Sequence, residues 1–350
     1  MSILYRIFGT GRSGEIAQET FNCLIAALVW ALMPALSVAC GMDPRIGIWA
    51  GFAGAVVPVN RWAETKGAFE TTLGALFFVT LFAFYMRCWH SRNFRFTTAI
   101  VGGVLSGLAI LAFASLASCA VGLLIVGYFI FRPQFRHKYL LFALTTAAVT
   151  VLALLPWALR NYFTLGGMVW TRSNFPLELS LSNNDMARAN FADNEELMNI
   201  HHPRVSRMEK EKLRAVGELE YERLKQKEEF QWITSHPSTF GRLTIQRIFY
   251  FWFPSMKRLA QTILLIPLTA GGLWGLFSLV KTRCLAGYGF LTILAVFTVV
   301  YYVVQSFPRY VYPIEWSLFY LSAYQSLSLM SRLRPRAEAR PLAIKRVRAA

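Results

Sequence analysis

The chain alternates between long apolar runs and short polar breaks, and one polar stretch is far longer than the others. Apolar runs cover about 20–40, 46–59, 68–86, 97–113, 117–131 and 139–159, then 259–280, 285–304 and 311–330. A helix needs roughly 20 apolar residues to cross a bilayer core. The runs lack the strict alternation of a barrel strand, so helices are expected. The run at 46–59 is short for a span and holds Pro58, so whether it crosses stays open. Counted as a span, it makes the chain an all-α polytopic membrane protein with about nine transmembrane helices.

The pattern divides the chain into an N-terminal transmembrane region (1–159, about six spans), a polar insert (160–258), three further spans (259–330) and a basic tail (331–350). The insert holds 12 of the 19 acidic residues and 15 of the 36 basic ones. Within it, 203–235 is rich in Glu, Lys, Arg and Leu. Val205, Met208, Leu213, Val216, Leu219, Leu224 and Phe230 recur at roughly helical spacing, which predicts an amphipathic helix that Pro203 opens and Pro237 stops. Trp232, Phe240 and the run Phe249–Phe253 then read as an interfacial aromatic belt.

Composition agrees with a membrane protein. Hydrophobic residues make up 55% of the chain and charged residues 16%. The net charge of +17 is concentrated in short loops and the tail. Arg87, Arg92 and Arg95 form one basic loop, Arg132, Arg136 and Lys138 a second, and Lys281 with Arg283 a third. If every run spans once, these loops and the tail share one side, which is the cytoplasm. The insert then faces outward, and residues 1–19 fall outside as well. No basic face on a soluble module is visible, so nucleic acid is not an expected partner. Five cysteines lie in or beside apolar runs without metal-like spacing, and no His or Asp cluster forms a metal motif.

Three constellations carry candidate chemistry. Arg160 and Asn161 end the sixth run, followed by Arg172, Asn174, Glu178, Asn183 and Asn184. Arginine presents a planar fork to phosphate, and amides bond sugar hydroxyls. Snorkelling and turn capping are the plainer readings of the same residues. Glu64, Lys66 and Glu70 stand at the mouth of the third run, where Lys66 and Glu70 also suit a simple i,i+4 pair. Arg309 and Tyr310 precede the last run, and Glu315 sits deeper, where an ionisable group is costly and tends to be functional or paired.

Several blocks resemble a known family. Leu4–Gly9, Pro58 with Glu70-Thr71, and Gly107-Leu108-Ala109 come first. Pro156-Trp157 to Asn161-Tyr162 follow, then Arg172 to Phe175, Glu178-Leu179 and Asn183-Asn184. Gly217 to Tyr221, His236-Pro237, and Arg309-Tyr310 with Pro313 complete the set. In this order they resemble bacterial GT-C-type polytopic membrane glycosyltransferases, the protein mannosyltransferase-like and RgtA/B/C/D-like enzymes.

The resemblance implies a GT-C-like fold in a bacterial inner membrane, with the 160–258 loop extracytoplasmic and the C-terminus cytoplasmic. It implies transfer of a sugar from a polyprenyl-phosphate-linked donor to a lipid, glycan or protein acceptor, with an outer-loop carboxylate as base. On this reading Arg160, Arg172, Arg309, Tyr310 and Lys66 bind the substrate, and Asn161, Asn174, Glu178 and Asn183 give polar support. In the family a helix and an acidic outer loop precede the segment matched by Leu4–Gly9; here that acid has no counterpart. The helix after Gly107-Leu108-Ala109 also lacks the family's arginine. Glu64 and Glu70 are therefore the carboxylates to weigh for catalysis. No cofactor is implied, and a divalent metal stays open. The competing expectations are a non-catalytic relative that binds the lipid carrier, and a lipid or solute transporter.

Overall fold

The structure is a computed structural model that describes residues 2–57, 59–65, 69–253, 259–305 and 308–333. Every element among these residues is a helix. In chain order they are α1 (Ser2–Phe8), α2 (Arg12–Ala31), α3 (Met33–Ala39), α4 (Pro44–Val56), α5 (Arg61–Thr65), α6 (Phe69–Ser91), α7 (Phe96–Ala112), α8 (Leu116–Ile130) and α9 (Pro133–Leu165). Then follow α10 (Phe175–Ser182), α11 (Phe191–His201), α12 (Arg207–Val216), α13 (Glu218–Ser235), α14 (Pro237–Trp252), α15 (Leu259–Lys281), α16 (Leu285–Val303) and α17 (Pro308–Leu333).

Among the described residues, five stretches are long and apolar enough to cross a membrane: Arg12–Ala39, Glu70–Ser91, Pro133–Leu165, Thr262–Lys281 and Leu285–Val303. Two apolar helices are shorter, α7 with 17 residues and α8 with 15. The run at 46–59 becomes α4, with 13 residues and well short of a span. Asp43 caps its start by accepting from the Arg45 N–H, and Pro44 fills its first turn. The first predicted run begins earlier than its hydropathy, at Arg12, and breaks at Leu32 just before Pro34. The sixth run extends into the 33-residue α9, so Arg160 and Asn161 lie on a helix. Pro58, Lys66, Lys257 and Arg258 lie outside the described residues, as does the tail from 334.

The chain forms two compact units. The first comprises Met1–Ala153, Leu264–Phe297 and Pro308–Ala350, and the second Leu154–Ile263 and Thr298–Phe307. In the first unit α6 packs against α2, α7 and α17, and α4 packs against α3 and α17. An aromatic cluster fills its centre, where Phe82 lies 4.6 Å from Phe290 and 5.6 Å from Trp316, ring centre to ring centre. Small residues let α3 and α4 meet backbone to backbone. A Cβ on Gly47 would fall 2.1 Å from the Met33 carbonyl oxygen.

In the second unit α10 packs on α13 around Leu177, Leu181, Met198 and Tyr221. The amphipathic segment predicted as one helix is two. Ser206 caps α12 by accepting from the Glu209 N–H, so the helix starts after Pro203 rather than at it. Gly217, at φ 80°, ends α12 and begins α13. That backbone conformation favours glycine and breaks the helix. Of the predicted stripe, Val205, Met208, Val216 and Phe230 are exposed, and α13 buries Tyr221, Glu222 and Glu229 instead.

Candidate functional site

The first unit gathers polar side chains at the start of α17. The α5 segment brings Asn60 and Glu64 there, and Asn22 of α2 fixes it in place. The buried Asn22 amide donates to the Thr65 carbonyl at 3.1 Å, and its Oδ1 accepts from Thr72 at 3.3 Å. Glu64 is half-buried. Its Oε1 accepts from the Trp30 indole N–H at 3.3 Å and from the Tyr312 hydroxyl at 3.5 Å. Burial pushes the Glu64 carboxyl above the usual carboxylate range, opposed by those two hydrogen bonds and the Arg61 charge.

Glu315 lies one turn beyond Tyr312 and is only 3% exposed. The Asn60 side chain hydrogen-bonds it, and the Glu64 carboxylate acts on it electrostatically. Among the described residues its Oε2 has no hydrogen-bond partner. A buried carboxyl with an open oxygen costs free energy unless something else completes it. Arg309 lies three residues before Tyr312, and so one turn back on the same helical face. Its guanidinium donates to the Tyr310 hydroxyl at 3.2 Å and sits 5.1 Å over that ring. Two acids, a phenol, an indole and an amide thus converge from three segments, α2, the α5 segment and α17. Glu70 sits in the first turn of α6, and Lys66 lies outside the described residues.

The second unit holds the other sequence candidates and divides them. Asn161 is buried and ties the end of α9 to the loop after it, donating to the Val169 carbonyl at 2.8 Å and accepting from Arg160 at 3.0 Å. Arg160 is exposed, with its guanidinium 5.0 Å over the Trp157 ring. Arg172 is also exposed. Asn174 precedes α10 and donates to Glu178 at 3.3 Å. Asn183 is buried at 1% exposure, so it positions other groups rather than facing solvent. Its amide donates to the Leu179 and Val303 carbonyls at 2.9 and 3.0 Å, and its Oδ1 accepts from Arg247 at 2.7 Å.

Arg247, also 1% exposed, is the residue that sequence reasoning missed. It donates further to the Ser182 and Val303 carbonyls. Burial pushes its guanidinium down to about 10, with the Glu229 charge opposing. A signal was present: α14 buries Leu243, Arg247 and Phe251, spaced four apart, so the arginine interrupts an apolar stripe. Trp30, Tyr312 and Asn60 were also missed, because Trp30 and Tyr312 stand 34 and 248 residues from Glu64 in sequence.

No family model matches the sequence, and no curated protein does. Solved structures do. A crystal structure of the Archaeoglobus fulgidus oligosaccharyltransferase with zinc and sulfate matches with a TM-score of 0.57 at 17% identity, over 95% of this chain and 40% of that one. The oligosaccharyltransferase AglB of the same archaeon, with an inhibitory peptide and a dolichol-phosphate, matches with a TM-score of 0.55 at 17% identity, over 99% of this chain and 44% of that one. The chain has a GT-C-like membrane fold. It spans less than half the length of either structure. The GT-C-like fold, together with its apolar helices, makes the chain an integral membrane protein.

Proposed function

We propose that this chain is a membrane glycosyltransferase that passes a sugar from a polyprenyl-phosphate-linked donor to a lipid, glycan or protein acceptor at the outer face of a bacterial inner membrane. The observation that carries the reading is the Glu64–Glu315 pair, a buried and incompletely bonded carboxylate cluster in a GT-C-like fold. A similar protein was solved with a dolichol-phosphate, which supports a lipid-linked donor. Glu64 takes the proton of the acceptor hydroxyl as its oxygen attacks the anomeric carbon. The bond from that carbon to the phosphate oxygen breaks, and the polyprenyl phosphate leaves. A carboxyl raised toward the working pH by burial suits that role. Arg309 steadies the leaving phosphate on the face it shares with Tyr312. Arg160 and Arg172 are the exposed cations proposed to meet anionic substrate in the second unit, with the bonded pair Asn174 and Glu178 as polar support. Among the described residues no three His, Cys, Asp or Glu side chains form a group that could hold a metal ion.

The test is sugar transfer by the full chain in nanodiscs from a radiolabelled polyprenyl-phosphate hexose. Glu64→Gln is expected to lower turnover by about 100-fold or more, the usual range for a lost general base. Arg309→Ala is expected to lower it comparably while donor binding weakens. Undiminished transfer by both variants overturns the assignment. Donor binding without turnover by the wild-type chain replaces it with a carrier-binding role.

A further inference from the structure

Glu64 has two carboxylate oxygens, and the first unit treats them differently. The Trp30 indole N–H and the Tyr312 hydroxyl both donate to Oε1, at 3.3 and 3.5 Å. Among the described residues Oε2 receives no hydrogen bond, and it is not sealed from solvent. Glu315 is in the opposite state, since its unbonded oxygen is enclosed by the protein. Of the two acids, Glu64 is therefore the one whose open oxygen a hydroxyl from outside can reach.

Both donors are preorganised by packing. Trp30 and Tyr312 are buried side chains. The indole is wedged between α4 and α17. It meets Phe319 edge to face with ring centres 5.1 Å apart, and a Cβ on Gly54 would collide with its six-membered ring. The donors come from α2 and α17 while Glu64 lies on the five-residue α5, so the carboxylate is held by two elements other than its own. A carboxylate oxygen has two lone pairs, and Oε1 meets two donors. A proton arriving at Oε1 would have to displace one of them. A proton arriving at Oε2 leaves both bonds in place.

We infer that Trp30 and Tyr312 are positioning residues that clamp Glu64 by Oε1 and present Oε2 alone to the acceptor hydroxyl. The role rests on Glu64 as the base proposed above, and names the oxygen that takes the proton and the groups that aim it. In the transfer step the acceptor O–H proton passes to Oε2 as the acceptor oxygen bonds to the anomeric carbon. The bond from that carbon to the phosphate oxygen breaks, and its electron pair leaves with the polyprenyl phosphate.

The clamp has a signature that simple packing lacks. Burial raises the Glu64 carboxyl, while the Trp30 and Tyr312 bonds and the Arg61 charge lower it. Glu315 is the acid that acts on it from α17. Removing a donor to the charged form raises proton affinity, whereas loosening the packing admits water and lowers it. The two effects differ in sign.

The experiment uses the full chain in phospholipid nanodiscs. Infrared difference spectra follow protonated carboxyls through a pH titration, and the Glu64 band is the one absent from Glu64→Gln. Tyr312→Phe and Trp30→Phe each remove one donor and keep an aromatic ring. Each is expected to raise the Glu64 midpoint, and the double variant to raise it by about one pH unit. In the transfer assay the acid limb of the kcat profile is expected to move up with it, while KM for the donor stays unchanged. A midpoint that holds its wild-type value or falls in the double variant overturns the inference. If the double variant does not fold, Tyr312→Phe decides by the same sign. A wild-type chain that transfers no sugar overturns the glycosyltransferase reading instead, because the titration reads the clamp without transfer.

Discussion

Arg247 shows how much one buried side chain can organise. Its guanidinium joins α14 to the end of α10 and to the Val303 carbonyl at the end of α16. Arg247→Met conserves bulk but leaves the Ser182 carbonyl and Asn183 Oδ1 without those donors. Breaking such a buried charged network costs about 3–5 kcal/mol. Hydrogen exchange should speed up in 177–183 and 301–305; unchanged protection there would contradict the role given to Arg247.

A second effect at this scale is set by proton affinity. Burial raises Glu229 to about 7, with the Arg247 charge opposing. Burial also raises Glu222 to about 7, with the Leu177 N–H and Lys225 opposing and Glu218 and Glu178 reinforcing. Against an ordinary value of 4.5, the folded chain keeps protons between pH 4.5 and 7 that the unfolded chain has lost. Stability is therefore highest below that window and falls as pH rises through it. His202, lowered chiefly by burial, acts in the opposite sense. The deciding quantity is the difference between chains. The thermal midpoint of the wild type should drop more from pH 5 to pH 8 than that of the Glu222→Gln/Glu229→Gln variant, and equal drops would refute the linkage.

Elements were legible where hydrophobic periodicity is unopposed and illegible where a single residue overrides it. Runs 68–86 and 285–304 match α6 and α16 to within a few residues, because nothing interrupts their apolar pattern. The insert helix was drawn whole although Gly217 divides it, and four residues of its expected apolar stripe, Val205, Met208, Val216 and Phe230, are exposed. Of the candidate residues, Asn161 and Asn183 were chosen for their polarity, and both turn out to be buried pins between segments. Sequence spacing gives residue type and neighbourhood; it does not say which polar groups are already satisfied by distant backbone. The α3–α4 contact gives a prediction at this scale. Gly47→Ala must push the two helices apart, at about 1–3 kcal/mol for an overpacked contact. Gly241→Ala, where a Cβ meets nothing within 4 Å, serves as the control. Equal thermal midpoints for the two variants would rule out the tight crossing.

At the scale of the whole molecule, the GT-C-like fold emerged from the order of polar blocks more than from any one of them, as expected when 17% identity accompanies a TM-score of 0.57. The hydrophobic pattern gave the apolar segments. Their lengths came only with the structure, and those lengths have a mechanical consequence. At 1.5 Å per residue, α7 and α8 reach only about 26 and 22 Å, less than the roughly 30 Å hydrocarbon core of a typical bilayer. If both cross, lipid beside them must thin to avoid hydrophobic mismatch, at a fraction of a kcal/mol for each ångström. The protein should then withstand heating better in dimyristoleoyl-phosphatidylcholine than in dierucoyl-phosphatidylcholine, and the reverse order would remove the mismatch. In a native membrane the same deformation would gather short-chain lipids around α7 and α8, a local dimple in the bilayer created by two helices a few residues too short.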